Sequence, residues 1–559
     1  MSFYSSGKML SGKRWDSNIK SANVKNSERW LGFFFGPAGV ILLNAIIASY
    51  LNVFYTDVLK VGGLMGGAFL AVLPVVSKVV DAITNVIMGQ IIDRTRTRQG
   101  KARPWVLVGA PLVAISSILL FLVPNGSDGV KIAWIIFSYN FYYSIAYTMY
   151  YMSHSMLVPL STRNSKQRDG VAMLSNTAMC IIPGMVVAMF FPALILPRIG
   201  VDQGKWVTML CIFGIIALPC ALMEYYFTKE RITEENSDQK ETVALSAGQQ
   251  LKACLSSKYW LMIMAIFIVN QIATNVQNSS LIYYCNWVLG TYNDGITQTI
   301  VSAIGNAPLG FGILIMWPLV GKFGKRNVML AGLALAVIGT ALFYINPFNM
   351  SMVLVALIIR AFGALPMSYL LMAMLSEAMD HVEWKAGFRV DGLTMSIYTI
   401  IFTVSQGIAQ GILNMGMSAM GYIPPAADGT WVAQNDAVKS FFIFGYQGLM
   451  GIVMVIIFII FLFWRMDKDQ PIIQKDIIAR HKAEAEAKGI VWLSSEEKAA
   501  MEQEEQDKLA EENRIKELKE KCAKKGLNFA DEEAKYQAQL AEKKAKEEAK
   551  KAKKSRKHK

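Results

Sequence analysis

Four histidines and six cysteines in 559 residues leave little material for metal or thiol chemistry. The cysteines stand singly, with no CxxC pair and no metal-ligand spacing, and five lie in or near apolar runs, so a disulfide framework is not expected. No glycine-rich phosphate loop, catalytic triad or metal constellation is present. That excludes an ATP-driven pump and argues against an enzyme; no metal and no cofactor is expected. Charge is scarce too: 18% of residues are Asp, Glu, Lys or Arg, against about a quarter in a soluble domain. The stretch before Trp30 is polar and holds no signal-peptide core, so the first apolar run is expected to act as an uncleaved signal.

What the chain does have is apolar length. Hydrophobic residues make up 53% of it, with a mean hydropathy of +0.33. They fall in twelve runs, roughly 31–55, 63–88, 104–124, 131–158, 170–197, 205–227, 259–288, 297–320, 327–346, 350–376, 391–415 and 440–465. About twenty apolar residues as a helix cross about 30 Å of hydrocarbon. The pattern predicts an all-α membrane protein with twelve transmembrane helices.

The net charge of +14 would suit nucleic acid if it were clustered on a soluble face, but it is distributed by side. Alternate loops carry Arg94, Arg96, Arg98, Lys101 and Arg103, then Arg163, Lys166 and Arg168, then Lys322, Lys325 and Arg326, then Lys385 and Arg389. The intervening loops hold little beyond Lys60, Lys131, Arg198, Lys205 and Lys439. Positive loops stay inside, so both termini are expected in the cytoplasm of a multi-pass cell-membrane protein, with no nucleic-acid partner.

The longest polar stretch between runs, 228–258, divides them six and six, the layout of transporters built from repeated halves. A Gly followed by a basic cluster recurs after spans two and eight, in GQIIDRTRTRQGK and GKFGKRN. The expected organisation is an N-terminal segment 1–29, a six-helix half 30–227, a linker 228–258, a pseudo-symmetric second half 259–465 and a tail 466–559. The tail holds 24 Lys or Arg and 21 Asp or Glu. Its Ser494–Glu497 capping pattern and Glu/Lys pairs predict a solvated, partly helical cytoplasmic segment. Its basic end, KKAKKSRKHK, could touch anionic lipid or a partner.

Ionisable groups inside spans are costly and mark function. Asp81 and Lys78 stand one turn apart on span two, where the carboxylate could bind a cation or proton. Arg360 lies mid-way along span ten and needs a carboxylate (Asp81 across the halves is one option), carbonyls or an anionic ligand. On span seven, Asn270, Thr274 and Asn278 form one face and Gln271, Asn275 and Ser279 the next, a stripe too polar for lipid and suited to sugar hydroxyls. Tyr139, Tyr143, Tyr147 and Tyr150 at helical spacing on span four offer rings for a sugar's apolar face. His154 reads as a packed helix-end residue.

These stretches resemble a known family. DAITNVIMGQIIDRTRTRQGKARPW, with YTDV at 55–58, LVP at 157–159 and MDHVEWKAGFRVDG at 379–392, is similar to the signatures of the glycoside–pentoside–hexuronide:cation symporters, the melibiose permease family of the major facilitator fold. The resemblance runs over most of residues 30–465 and leaves out the tail. It implies import of a sugar or glycoside, a uronide included, by alternating access on a cation gradient, by a carrier that works as a monomer. Of the family's two aspartates on span two, Asp81 matches the first and Asn85 replaces the second. The acidic residue usual early in span one is absent around Pro37. Tyr151, Asn176 and Thr403 stand where the family has a sugar-contacting aspartate, an arginine and a lysine. Coupling is therefore expected through Asp81, by a proton ahead of sodium, or not at all. The implied site adds Thr399 to these residues, and the implied cytoplasmic gate comprises Asp93, Arg94, Arg98 and Arg389. A carrier of another anionic or amphipathic solute such as a lysolipid, and a non-transporting sensor signalling through the tail, remain as alternatives.

Overall fold

The computed structural model describes residues 13–95, 97–162, 164–231, 247–290, 295–388, 390–426, 430–487, 495–540 and 542. The first half holds α1 (Glu28–Val58), α2 (Ala68–Arg94), α3 (Arg103–Phe121), α4 (128–161), α5 (165–199) and α6 (Gln203–Phe227). The second holds α7 (Lys258–Val288), α8 (Ile296–Phe323), α9 (Lys325–Ile345), α10 (Met350–Ala386), α11 (Asp391–Met420) and α12 (Asp436–Leu462). Among the described residues, nine stretches are long and apolar enough to cross a membrane. They do not include α4, α5 and α8, for which the count of twelve rests on the sequence. The linker, read from sequence as a polar loop, contains a helix, Ala247–Ser256. Ser257 then caps α7, its hydroxyl accepting the Trp260 N–H at 3.3 Å, as an N-cap should.

Within the first half α1 and α3 both pack on α6, and within the second α9 and α10 form the most extensive pair. The halves meet along α2–α11 and α5–α8. Proline chemistry explains one of these contacts. Pro74 has no N–H, so the carbonyl four residues earlier loses its helical partner; Leu70 O instead accepts from Asn414 Nδ2 of α11 at 2.7 Å. One turn further along α2, a Cβ on Gly407 would stand 2.8 Å from the Pro74 carbonyl oxygen. Only glycine lets the two backbones approach this closely.

Further bonds join the halves at this same end, away from the basic loops. Asn52 Nδ2 donates to Tyr283 Oη at 2.8 Å, and Tyr422 Oη donates to Asp57 Oδ1 at 2.8 Å. Thr56 Oγ1 bonds Asp57 at 2.8 Å and lies 3.0 Å from Tyr283 Oη. Asp57 is buried. This end is latched shut.

At the basic end, the first half is tied to the N-terminal segment and the start of the linker. Arg231 grips Glu28 through both carboxylate oxygens, at 2.9 and 2.8 Å. Glu230 turns back to accept the N–H groups of Lys101, Ala102 and Arg103 at 2.8, 2.9 and 2.8 Å, anchoring the start of α3. Gly100, at φ +108°, sits so close beneath that carboxylate that a Cβ would clash with it. Leaving a buried amide unpaired costs about 1–3 kcal/mol. Glu230→Ala is therefore expected to lower the thermal unfolding midpoint by several degrees in detergent, with Glu230→Gln intermediate. An unchanged midpoint would show that water replaces the carboxylate.

Candidate functional site

The site centres on α2. Lys78 Nζ lies 2.9 Å from Asp81 Oδ2, the two being one turn apart, and both are buried. The other carboxylate oxygen takes the hydroxyl hydrogen of Ser144 on α4. The Lys78 ammonium also lies 4.9 Å from the centre of the Tyr143 ring. Across the junction of the halves, a Cβ on Gly407 would come within 3.0 Å of Lys78 Cγ. The pair thus sits where α2 meets α11, on the contact that must loosen if the latched end opens. Asn85, one turn further, is half-buried, as is Thr403, one turn from Gly407 on α11.

Ser144 carries the other half of the Asp81 environment, and nothing in the sequence pattern singled it out. It lies in a π-helical stretch, 141–147, where the helix widens by one residue per turn. The same widening breaks the tyrosine stripe. A uniform helix would align Tyr139, Tyr143, Tyr147 and Tyr150, but the extra residue rotates the remainder of the helix. Tyr151, exposed, stacks on Tyr147 at 5.5 Å. Tyr150 turns inward and donates its hydroxyl to Glu224 of α6. The expectation that Tyr150 shares a sugar-facing surface is therefore corrected, while Tyr147 and Tyr151 stay paired.

Glu224, missed in the sequence, is fully buried. Besides Tyr150 it bonds His154 Nδ1 at 2.6 Å, and His154 Nε2 lies 3.4 Å from Ser175 of α5. His154 is packed, with a carboxylate partner, but lies about two turns inside α4 rather than at its end. The one available signal was a glutamate near the end of an apolar run, LPCALMEYYF.

Arg360 does not reach Asp81. Its Nη1 lies 3.4 Å from Gln277 Oε1 of α7, and its backbone packs on Gly339 of α9. Arg360 Nε and Gln277 Nε2 are buried without an acceptor, so the position is rich in donors. In this structure the Arg360–Asp81 pair is not made: the guanidinium meets Gln277, and the Asp81 carboxylate is held by Lys78 and Ser144. On α7, Asn270 and Thr274 are half-buried and Asn278 is exposed, while Asn275 Nδ2 bonds back to Gln271 O at 2.9 Å. Asn176 and Thr399 are exposed, Thr399 bonding the Met395 carbonyl at 2.9 Å.

Of the expected gate, Arg94 is exposed and Arg98 pairs with Asp16 of the N-terminal segment at 3.0 Å, within its own half. Arg389 and the side chain of Asp93 lie outside the described residues. Among the described residues no group of three metal-ligating side chains occurs.

Comparison with known proteins agrees with this architecture. A family model described as MFS/sugar transport protein matches residues 32–468. The isoprimeverose transporter of Lactiplantibacillus pentosus is 25% identical over 453 residues, covering 79% of this chain and 89% of the relative. The glucuronide carrier protein homolog of Escherichia coli K12 is 26% identical over 408 residues, covering 70% and 84%. Among solved structures, an inward-facing, unoccupied bacterial homolog of the human lysosomal transporter Spinster superposes with a TM-score of 0.52 at 11% identity, covering 82% of this chain and 99% of that one. That likeness concerns the fold alone.

Proposed function

We propose, on the premise that this chain belongs to the MFS/sugar transport protein family, that it imports a sugar or glycoside by alternating access, coupled to protons through Asp81. It works as a monomer in the plasma membrane, with the basic end and both termini in the cytoplasm. The observation that carries this reading is the buried Lys78–Asp81–Ser144 cluster on the α2–α11 contact.

The cluster favours a proton over sodium. A hard cation needs several oxygens around it, whereas Asp81 already has an internal ammonium at 2.9 Å on one oxygen and a hydroxyl on the other. A proton arriving on Asp81 needs no such shell. It cancels the charge that holds the ammonium, and the Lys78 side chain, whose Cγ packs beside Gly407, must then reorganise. That couples protonation to the α2–α11 contact and so to opening of the latched end. Tyr147, Tyr151, Asn270 and Asn278 supply rings and amides for the sugar, with Asn85, Asn176, Thr399 and Thr403 as further polar contacts.

Arg360 favours one narrower reading, an anionic sugar such as a uronide. A permanent cation with unpaired donors and no carboxylate partner described suits a carboxylate on the substrate.

The test is uptake of labelled neutral glycosides and uronides into vesicles under a proton gradient, a sodium gradient or neither. Proton-driven accumulation is the expected result, and equilibration that ignores both gradients would refute the coupling. Uptake of uronides that survives Arg360→Gln unchanged would remove the anionic reading.

A further inference from the structure

Where the family match ends, at residue 468, the chain is already in α13 (Met466–Ala487), which α14 (Ser495–Lys525) follows. The sequence suggested a solvated tail, yet each helix is docked, and each on a different half. Helix α13 lies on the second half. Ile473 and Ile477 are buried against it. Asp467 accepts the Arg326 N–H at 3.0 Å, Asp469 the Tyr259 hydroxyl at 2.5 Å and Asp476 the Trp384 indole at 3.0 Å. His481 lies 2.9 Å from Glu383.

Helix α14 lies on the first half. Glu517 Oε1 accepts Ser21 Oγ at 2.7 Å and the Ala22 N–H at 2.8 Å, while Oε2 lies 3.3 Å from Lys25 Nζ. Asn23 Nδ2 donates to Ala510 O at 2.8 Å. Asp507 takes Asn164 Nδ2 at 2.9 Å and pairs with Lys166. The receiving surface is polar and basic, built from the N-terminal segment and the α4–α5 connection, and the helix meets it with two carboxylates. Seven residues, 488–494, separate the helices in sequence. Eight peptide steps from Ala487 to Ser495 reach at most about 28 Å.

We infer that α13 and α14 form a clasp joining the two halves across the basic end, with α14 as the built-in occupant of the surface at Ser21–Lys25 and Asn164–Lys166. Its consequence rests on the carrier reading above. Alternating access separates the halves at this end in every cycle, and a clasp fixed on both sides sets an upper limit on that separation. Because the anchors on α14 are carboxylates, the clasp is also acid-labile. Hydrogen bonds from Lys166 and Asn164 hold Asp507 below the usual range. For Glu517, burial pushes upward but is outweighed by bonds from Ser21 and Ala22 and by Lys25, so it too is lowered. A lowered carboxylate stabilises the docked state above its ordinary value, and this is lost as pH falls through the lowered one.

The test uses full-length protein in lipid nanodiscs with spin labels at positions 169 and 322, one on each half at the basic end. Reversing both anchors, Asp507→Lys with Glu517→Lys, is expected to raise the population of long distances about twofold or more. Adding Lys25→Glu and Lys166→Glu should restore the wild-type distribution. Hydrogen exchange over 507–520 should quicken in the reversed chain and not in the rescued one, while α2 and α3 exchange unchanged, which separates undocking from unfolding. Distances that do not respond to anchor reversal would overturn the clasp. A shift in distances without sugar uptake in any chain would leave the clasp standing and remove the carrier reading.

Discussion

Asp81→Asn is expected to abolish proton-driven accumulation, leaving at most equilibration of the sugar across the membrane. Two effects combine. Asparagine cannot carry the proton, and Lys78 is left as a buried cation with only an amide oxygen, Ser144 and the Tyr143 ring nearby. Removing one partner of a buried ion pair costs about 3–5 kcal/mol, so a lower folded yield is expected as well. A double variant, Lys78→Met with Asp81→Asn, separates the two effects. It removes the unpaired charge, so yield should recover while accumulation stays absent. Recovery of accumulation in the double variant would mean that Asp81 serves only to neutralise Lys78, and the coupling role would have to be sought elsewhere, with the His154–Glu224 pair the next place to look.

The second large effect is expected from Gly407→Leu. A Cβ there would stand 2.8 Å from Pro74 O and 3.0 Å from Lys78 Cγ, and the first contact is with backbone, which cannot rotate away. Overpacking costs about 1–3 kcal/mol, and here it destabilises the state in which the end distant from the basic loops is shut. At about 1.4 kcal/mol per tenfold, that state loses between roughly fivefold and 150-fold in population. Uptake should fall by about tenfold or more, with Gly407→Ala showing a smaller loss. A cysteine at Val61, buried at that end, should become reactive to an impermeant maleimide in the leucine variant. Unchanged uptake and unchanged labelling would show that α2 and α11 absorb the extra volume by a local shift.

The clustering of polar partners was only partly legible beforehand. Lys78 and Asp81 could be paired from sequence because a helix brings residues three apart together. Ser144 could not, since a serine in an aromatic span carries no signal until another helix places a carboxylate beside it. Asp57 lay in plain view in YTDV but counted only as part of a resemblance; its bond to Tyr422 spans 365 positions. Tyr150 was assigned to the wrong surface because periodicity assumes a uniform helix, and the π-helical stretch at 141–147 is not announced by composition. The tail was read as solvated because charged residues prefer water, a rule that holds until complementary charges and two isoleucines meet a receiving surface.

What the sequence by itself determined are the properties that each segment decides alone: apolar runs long enough to span hydrocarbon, a polar break between halves, and the abrupt change of character after Trp464. Hydrophobic transfer acts on about twenty consecutive residues at a time and needs no knowledge of neighbours. The tertiary structure alone decided which buried polar group meets which: Glu224 with Tyr150 and His154, Asp57 with Tyr422, and Leu70 O with Asn414. In a low-dielectric interior an unpaired polar group is costly, but the need is local and the supplier is not. Only the packed helices bring together residues tens to hundreds of positions apart.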